Sequence, residues 1–158
     1  NFGHSTISVN DQLHVVDGKA TIVDFENGEN PEATIDMTAT FEGQLKSASR
    51  RFLKDGPRSL LVEDNIELLP ATELITWQLI TQADVEIVEG GALLKQAGKS
   101  LSIENLSHPE ITISIISLFP PPLSFDTKKE GLKRLELRIP AWTIEDGKTK
   151  IAVRLTGE

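Results

Sequence analysis

The side chains of this chain best suited to proton transfer or metal binding are three histidines, His4, His14 and His108. An imidazole titrates near neutral pH, so it can serve as a general base or as a polarising group. His4 stands in Gly3-His4-Ser5-Thr6 and shares the polar side of an alternating segment with Thr6 and Ser8, where it would address a partner surface. His14 alternates away from Leu13 and Val15 and reads as an exposed strand residue, while His108 precedes Pro109 and reads as a solvated loop residue. Imidazole and carboxylate suit zinc, so His4, His14 and a carboxylate such as Asp24 could make a metal site. No two histidines stand at ligand spacing, however, and no cofactor is predicted. Trp142, near Pro140 and a strand edge, is the one candidate aromatic stacking platform. Arg50-Arg51 with Lys54, and Lys128-Lys129 with Lys133-Arg134, form small basic clusters that read as a solvated strand face and a solvated loop.

The elements that must position these residues alternate with a period of two, the signature of strands. Thr6–Val16 reads as two short strands around Asn10-Asp11. Asp17-Gly18 then reverses the chain into Lys19–Phe25, residues 26–31 form a loop, and Ala33–Phe41 alternates with Ile35, Met37, Ala39 and Phe41 inward. The segment Ser47–Val88 alternates almost without a break and reads as a β-meander, with the Asp55-Gly56-Pro57 turn early in it and Trp77 buried at its centre. Gly90-Gly91 and Ala97-Gly98 mark further turns. The apolar phase slips at Ile115-Ile116, which predicts a β-bulge. Pro120–Pro122 should end that strand and Ser124–Gly131 should be a polar loop. Leu135, Leu137 and Ile139 form the next inward row, and Asp146-Gly147 turns the chain into a last strand carrying Ile151, Val153 and Leu155. Roughly a dozen short strands at this spacing predict an all-β, antiparallel two-sheet β-sandwich, with a closed barrel as the alternative. No segment reads as a helix.

Bulk properties narrow the function classes. The chain has 158 residues, enough for a single domain over 1–158, and its 39% hydrophobic content is that of a globular protein. A net charge of -8 argues against nucleic-acid binding and against this surface being the main grip on a polyanion. No apolar run is long enough to span a bilayer. Cysteine and tyrosine are both absent, which excludes thiol chemistry and a tyrosine acid. Phosphate-binding glycine loops, His-Glu-x-x-His and Gly-x-Ser-x-Gly are absent as well. The chain opens on Asn1 and runs almost directly into a strand, which predicts either a fragment of a longer polypeptide or a removed signal peptide.

The order of motifs resembles the β-sandwich region of the heparinase II/III-like polysaccharide lyases. The matching pieces are Gly3-His4-Ser5-Thr6 followed by Ile7-Ser8-Val9-Asn10, Lys19-Ala20-Thr21-Ile22, Arg50-Arg51-Phe52-Leu53 leading to Leu61-Val62-Glu63-Asp64, Trp77-Gln78-Leu79, and Gly98-Lys99-Ser100-Leu101. They cover about the first two-thirds of the chain. The resemblance implies an upstream α/α toroid domain as partner, an acidic polysaccharide such as a glycosaminoglycan or alginate as substrate, β-elimination as the reaction, and a periplasmic or extracellular location. It also implies that His4 matches the histidine that the sandwich contributes to the cleft. Some members hold a structural zinc, for which the close pairing of histidines is not seen here. In that family the acid is usually tyrosine. A chain without tyrosine and without the toroid is therefore expected to form one wall of the cleft and to be inactive alone. The competing readings are a non-catalytic carbohydrate-binding module, disfavoured by its few aromatics, and a structural β-domain.

Overall fold

Period-two alternation becomes twelve strands in the computed structural model, which describes residues 3–121, 123, 126 and 128–158. They are β1 (Ile7–Val9), β2 (Thr21–Glu26), β3 (Glu32–Asp36), β4 (Leu45–Gly56), β5 (Ser59–Leu68), β6 (Leu74–Thr81), β7 (Asp84–Val88), β8 (Gly91–Gln96), β9 (Lys99–Asn105), β10 (Ser114–Ser117), β11 (Lys133–Pro140) and β12 (Lys148–Gly157). The expected residues Asn1, Phe2 and Pro122, and Ser124, Phe125 and Thr127 of the polar loop, lie outside the described residues.

The strands make two antiparallel sheets, one of four strands in the order β1-β6-β11-β10 and one of eight in the order β2-β3-β4-β5-β12-β9-β8-β7. The two-sheet sandwich is therefore correct. Ile7, Val9, Ile75, Trp77, Leu135, Leu137 and Ile139 of the smaller sheet pack against Ala48, Ile66, Leu94, Ile103, Ile151 and Val153 of the larger one. Trp77 is 2% exposed on β6, between Ile7 of β1 and Leu137 of β11. β2 is exposed along its whole length, leaving Ile22, Val23 and Phe25 in water.

The hairpin turns follow their chemistry. Ala97 and Gly98 both take positive φ between β8 and β9, as do Asp146 and Gly147 before β12, which matches the strand twist. Gly91 is needed for space: a Cβ there would meet the Ile103 carbonyl oxygen at 1.9 Å.

Four expectations need correction. The second strand expected within Thr6–Val16 is a loop. Asn10 and Asp11 take positive φ, and the Asn10 side chain bonds Ala71 O and the Glu73 and Leu74 amides instead of continuing a ladder. The alternation of Ala33–Phe41 stops at Asp36, whose carboxylate accepts the Thr38 amide. A 3-10 turn over Thr38–Phe41 then buries Met37 and Phe41 and exposes Ala39. Ser47–Val88 is not one meander: β4 and β5 pair, β6 joins the other sheet beside β11, and β7 returns to the far edge of the larger sheet. No bulge occurs at Ile115-Ile116. β10 pairs with β11 in unbroken register, and both isoleucines are exposed on an edge strand, where phase is weakly specified. Register slips lie instead at Ile22/Asp24, Leu45/Ser47 and Leu53/Gly56.

Arg50 also departs from its expected solvated position. It lies 7% exposed between the sheets and holds Asp64, which is fully buried, through paired bonds of 2.7 Å. Burial pushes the Asp64 carboxyl above its ordinary value, and the guanidinium opposes that push. A buried pair of this kind is costly to break singly because the surviving charge is stranded. Arg50→Met or Asp64→Leu alone is expected to lower unfolding free energy by roughly 3–5 kcal/mol. The double variant is expected to lose much less, as read by urea unfolding.

Candidate functional site

His4 precedes β1 instead of lying on it, so it does not share an exposed strand face with Thr6 and Ser8; Ser8 is fully buried against Gln78. The imidazole is exposed while the backbone around it is pinned. The His4 carbonyl accepts the Thr6 amide at 3.0 Å, the Ser5 carbonyl accepts Arg50 Nη1 at 2.9 Å, and Ser5 Oγ accepts the Ile80 amide at 3.0 Å. The Thr6 carbonyl in turn accepts the Gln78 amide. His4 is thus an exposed acid-base group standing on a fixed base at one end of the smaller sheet.

His14 is half-buried in the loop after β1. Its Nε2 donates to the Ile7 carbonyl at 2.9 Å, and its ring stands edge-on to Phe41 with centroids 4.7 Å apart. Burial holds its pKa below the ordinary imidazole value, partly offset by the bond to Ile7 and reinforced by the His4 charge. His108 is likewise no solvated residue. Its Nε2 meets Thr149 Oγ1 at 3.3 Å, its carbonyl accepts the Asn105 side-chain amide, and Glu110 lies 3.6 Å from its Nδ1. Asp24 is exposed on β2. Among the described residues no group of three or more His, Asp or Glu side chains gathers as a metal site, so His4, His14 and Asp24 are not brought together.

The arginines of the two basic clusters, and Lys133, are engaged, whereas Lys54, Lys128 and Lys129 are exposed as expected. Arg51 joins Glu32 and Glu63, which raises the guanidinium pKa; Lys150 meets Glu63 at 3.0 Å. Burial raises Glu63, but bonds from Lys150 and Arg51 outweigh it and hold the carboxyl low. Lys133 donates to Ala83 O, and Arg134 pairs with the buried Glu136 at 2.7 Å. These pairs neutralise the cations that they engage. Alternation gave no sign of them, because it shows which way a side chain faces and not what meets it.

Trp142 is the second place of interest. It lies on a 3-10 turn over Ala141–Thr143 and is 86% exposed. Beside it runs a groove of about 720 Å³ lined by Leu68, Pro70, Thr72, Glu73 and Ile144. A trough of about 740 Å³ on the outer face of the larger sheet, between Ser49, Asn65 and Lys150, has no aromatic lining among the described residues.

The fold assembled from these parts is similar to a portion of solved heparinase structures. Heparan sulfate lyase HepC from Pedobacter heparinus superposes with a TM-score of 0.73 at 18% identity, over 99% of this chain and 24% of that chain. A heparinase III structure gives a TM-score of 0.68 at 12% identity, over 98% of this chain and 23% of that one. The likeness is one of fold, and the chain spans about a quarter of the length of these proteins. No family model matches the chain, and no curated protein sequence matches it significantly. Among the described residues no helix is long and apolar enough to cross a membrane.

The His14 environment gives a signed pH dependence. Its folded pKa lies below its unfolded value, so the unfolded chain takes up the proton first as pH falls. This part of the stability is present above about pH 6.5 and is lost as pH falls toward the folded pKa. The urea midpoint should therefore decline between pH 7 and pH 5, and His14→Gln should flatten that decline.

Proposed function

We propose that this chain is the β-sandwich domain of a heparinase II/III-like polysaccharide lyase. In that setting it forms one wall of the substrate cleft and presents His4 to an acidic glycan. The observation that carries the reading is the superposition of essentially the whole chain on heparan sulfate lyase HepC. The Gly3-His4-Ser5-Thr6 motif and the pinned backbone around it support the assignment of His4. In β-elimination the proton at C5 of the uronate is removed, the C4–O bond breaks, and the leaving oxygen is protonated. An imidazole held at a fixed place can take part as a proton-transfer or polarising group near neutral pH. With no tyrosine in the chain, the remaining groups come from an upstream α/α toroid of the same polypeptide, working in the periplasm or outside the cell. The paired cations of the outer sheet face support this division of labour, since the polyanion must be attracted from elsewhere.

The test begins with the natural polypeptide that carries this sequence. A species several times larger than 17.4 kDa is expected, and it should raise ultraviolet absorbance on heparan sulfate or alginate as unsaturated uronate forms. The 158-residue chain alone should show no such rise. His4→Ala in the larger protein should lower kcat by roughly 10²–10⁴-fold, the range for a lost acid-base group, with its unfolding midpoint unchanged. A natural polypeptide of 17.4 kDa, or full activity in the His4→Ala protein, would sink the proposal.

A further inference from the structure

We infer that the groove beside Trp142 is a subsite for an uncharged pyranose ring. The indole is set out in water on a turn whose backbone is held in place. Ala141 N donates to Glu73 O at 2.8 Å, Ile144 N to Ala141 O at 3.0 Å, and Thr143 Oγ1 to Pro140 O at 2.7 Å. The opposite wall is equally fixed: Asn10 holds Ala71 O and the Glu73 and Leu74 amides, and Thr72 Oγ1 donates to Gln44 O while accepting the Leu69 amide. A groove with both walls held loses little conformational freedom when a ligand enters, which favours binding.

The lining selects the ligand. Leu68, Pro70 and Ile144 supply apolar walls, and Trp142 offers a flat π face on which the axial C–H groups of a pyranose can rest. The Thr72 hydroxyl is already engaged, so the Glu73 carboxylate is left to accept hydrogen bonds from ring hydroxyls. Neither lysine nor arginine lines the groove, so a uronate or sulfate would meet one carboxylate on a chain of net charge -8. The site therefore takes a neutral sugar, and it is distinct from His4, which the lyase reading places at the acidic one. The inference goes beyond that reading and does not require it, because binding is read on this chain alone.

The chain carries two tryptophans and no tyrosine, and Trp77 is buried, so changes in emission report Trp142. Titration with the tetrasaccharide of N-acetylglucosamine and with cellotetraose should give a saturable blue shift with at least one of them, in the millimolar range. Tetragalacturonate should bind roughly tenfold more weakly or worse, as expected where like charge meets like. By calorimetry, Trp142→Ala should lose roughly tenfold or more in affinity, as for a central aromatic anchor, and Glu73→Gln should weaken binding less. Near-ultraviolet dichroism of Trp77 checks that each variant is folded, and Trp142→Phe, expected to keep part of the affinity, serves if the alanine variant is not. No response to either neutral glycan would overturn the inference. So would undiminished binding by a folded Trp142→Ala protein, or by Trp142→Phe where the alanine variant does not fold, or tetragalacturonate binding as tightly as the neutral sugars. Loss of lyase activity in the larger protein would leave it untouched.

Discussion

One guanidinium ties the two sheets together. Arg50 reaches from β4 into the space between them, is neutralised by Asp64 of β5, and spends a remaining donor on the Ser5 carbonyl just ahead of β1. A charge in this position is tolerated only with its partner and its hydrogen bonds complete, so β4, β5 and the residues before β1 are constrained jointly. The apolar packing around Trp77 supplies most of the cohesion, because burial acts on all of that area without regard to direction. The ion pair adds direction. It fixes where the short first strand enters, and with it the place from which His4 faces solvent.

The outer faces work by another rule. Across the larger sheet, Glu32, Arg51, Glu63 and Lys150 alternate in sign, and Asp55, Arg154 and Glu104 continue the pattern nearby. Each such contact is weak when exposed, but opposite charges on neighbouring strands favour one register over its neighbours. The same pairing leaves the sheet with little free positive charge. His4 and Trp142 lie off that surface, one before β1 and the other after β11.

Much of this was legible in the residues. Alternation located most of the strands, Gly90-Gly91, Ala97-Gly98 and Asp146-Gly147 located turns, and Trp77 was correctly read as core; at Asp55-Gly56, by contrast, the strand runs through Gly56 and the turn falls on Pro57-Arg58. The sheet to which each strand belongs was not legible. A period of two says which way side chains point, and β5 and β6 are consecutive and equally alternating yet pair in different sheets. Arg50 was misread for a related reason. It opposes Arg51, so one of the two had to face inward, and nothing local shows that Asp64 waits there fourteen residues on. His14 was misread because the loop after β1 imitates a strand in composition while its backbone turns at Asn10 and Asp11. Trp142 was legible as a surface aromatic from its place after Pro140, whereas the groove beside it is made by the distant β5–β6 connection and could not be seen locally.

The register slip in β2 has a further consequence. A terminal strand with bare backbone and apolar side chains invites the same strand of another molecule to add to it, and sheets growing that way do not stop. β2 is such a strand, with Ile22, Val23 and Phe25 in water. Its hydrogen-bonding line is broken between Ile22 and Asp24, and Asp24 and Glu26 place negative charge along it. A copy laid against it would meet a misaligned ladder and like charges. A local irregularity that does nothing for the core thereby guards the molecule against runaway assembly.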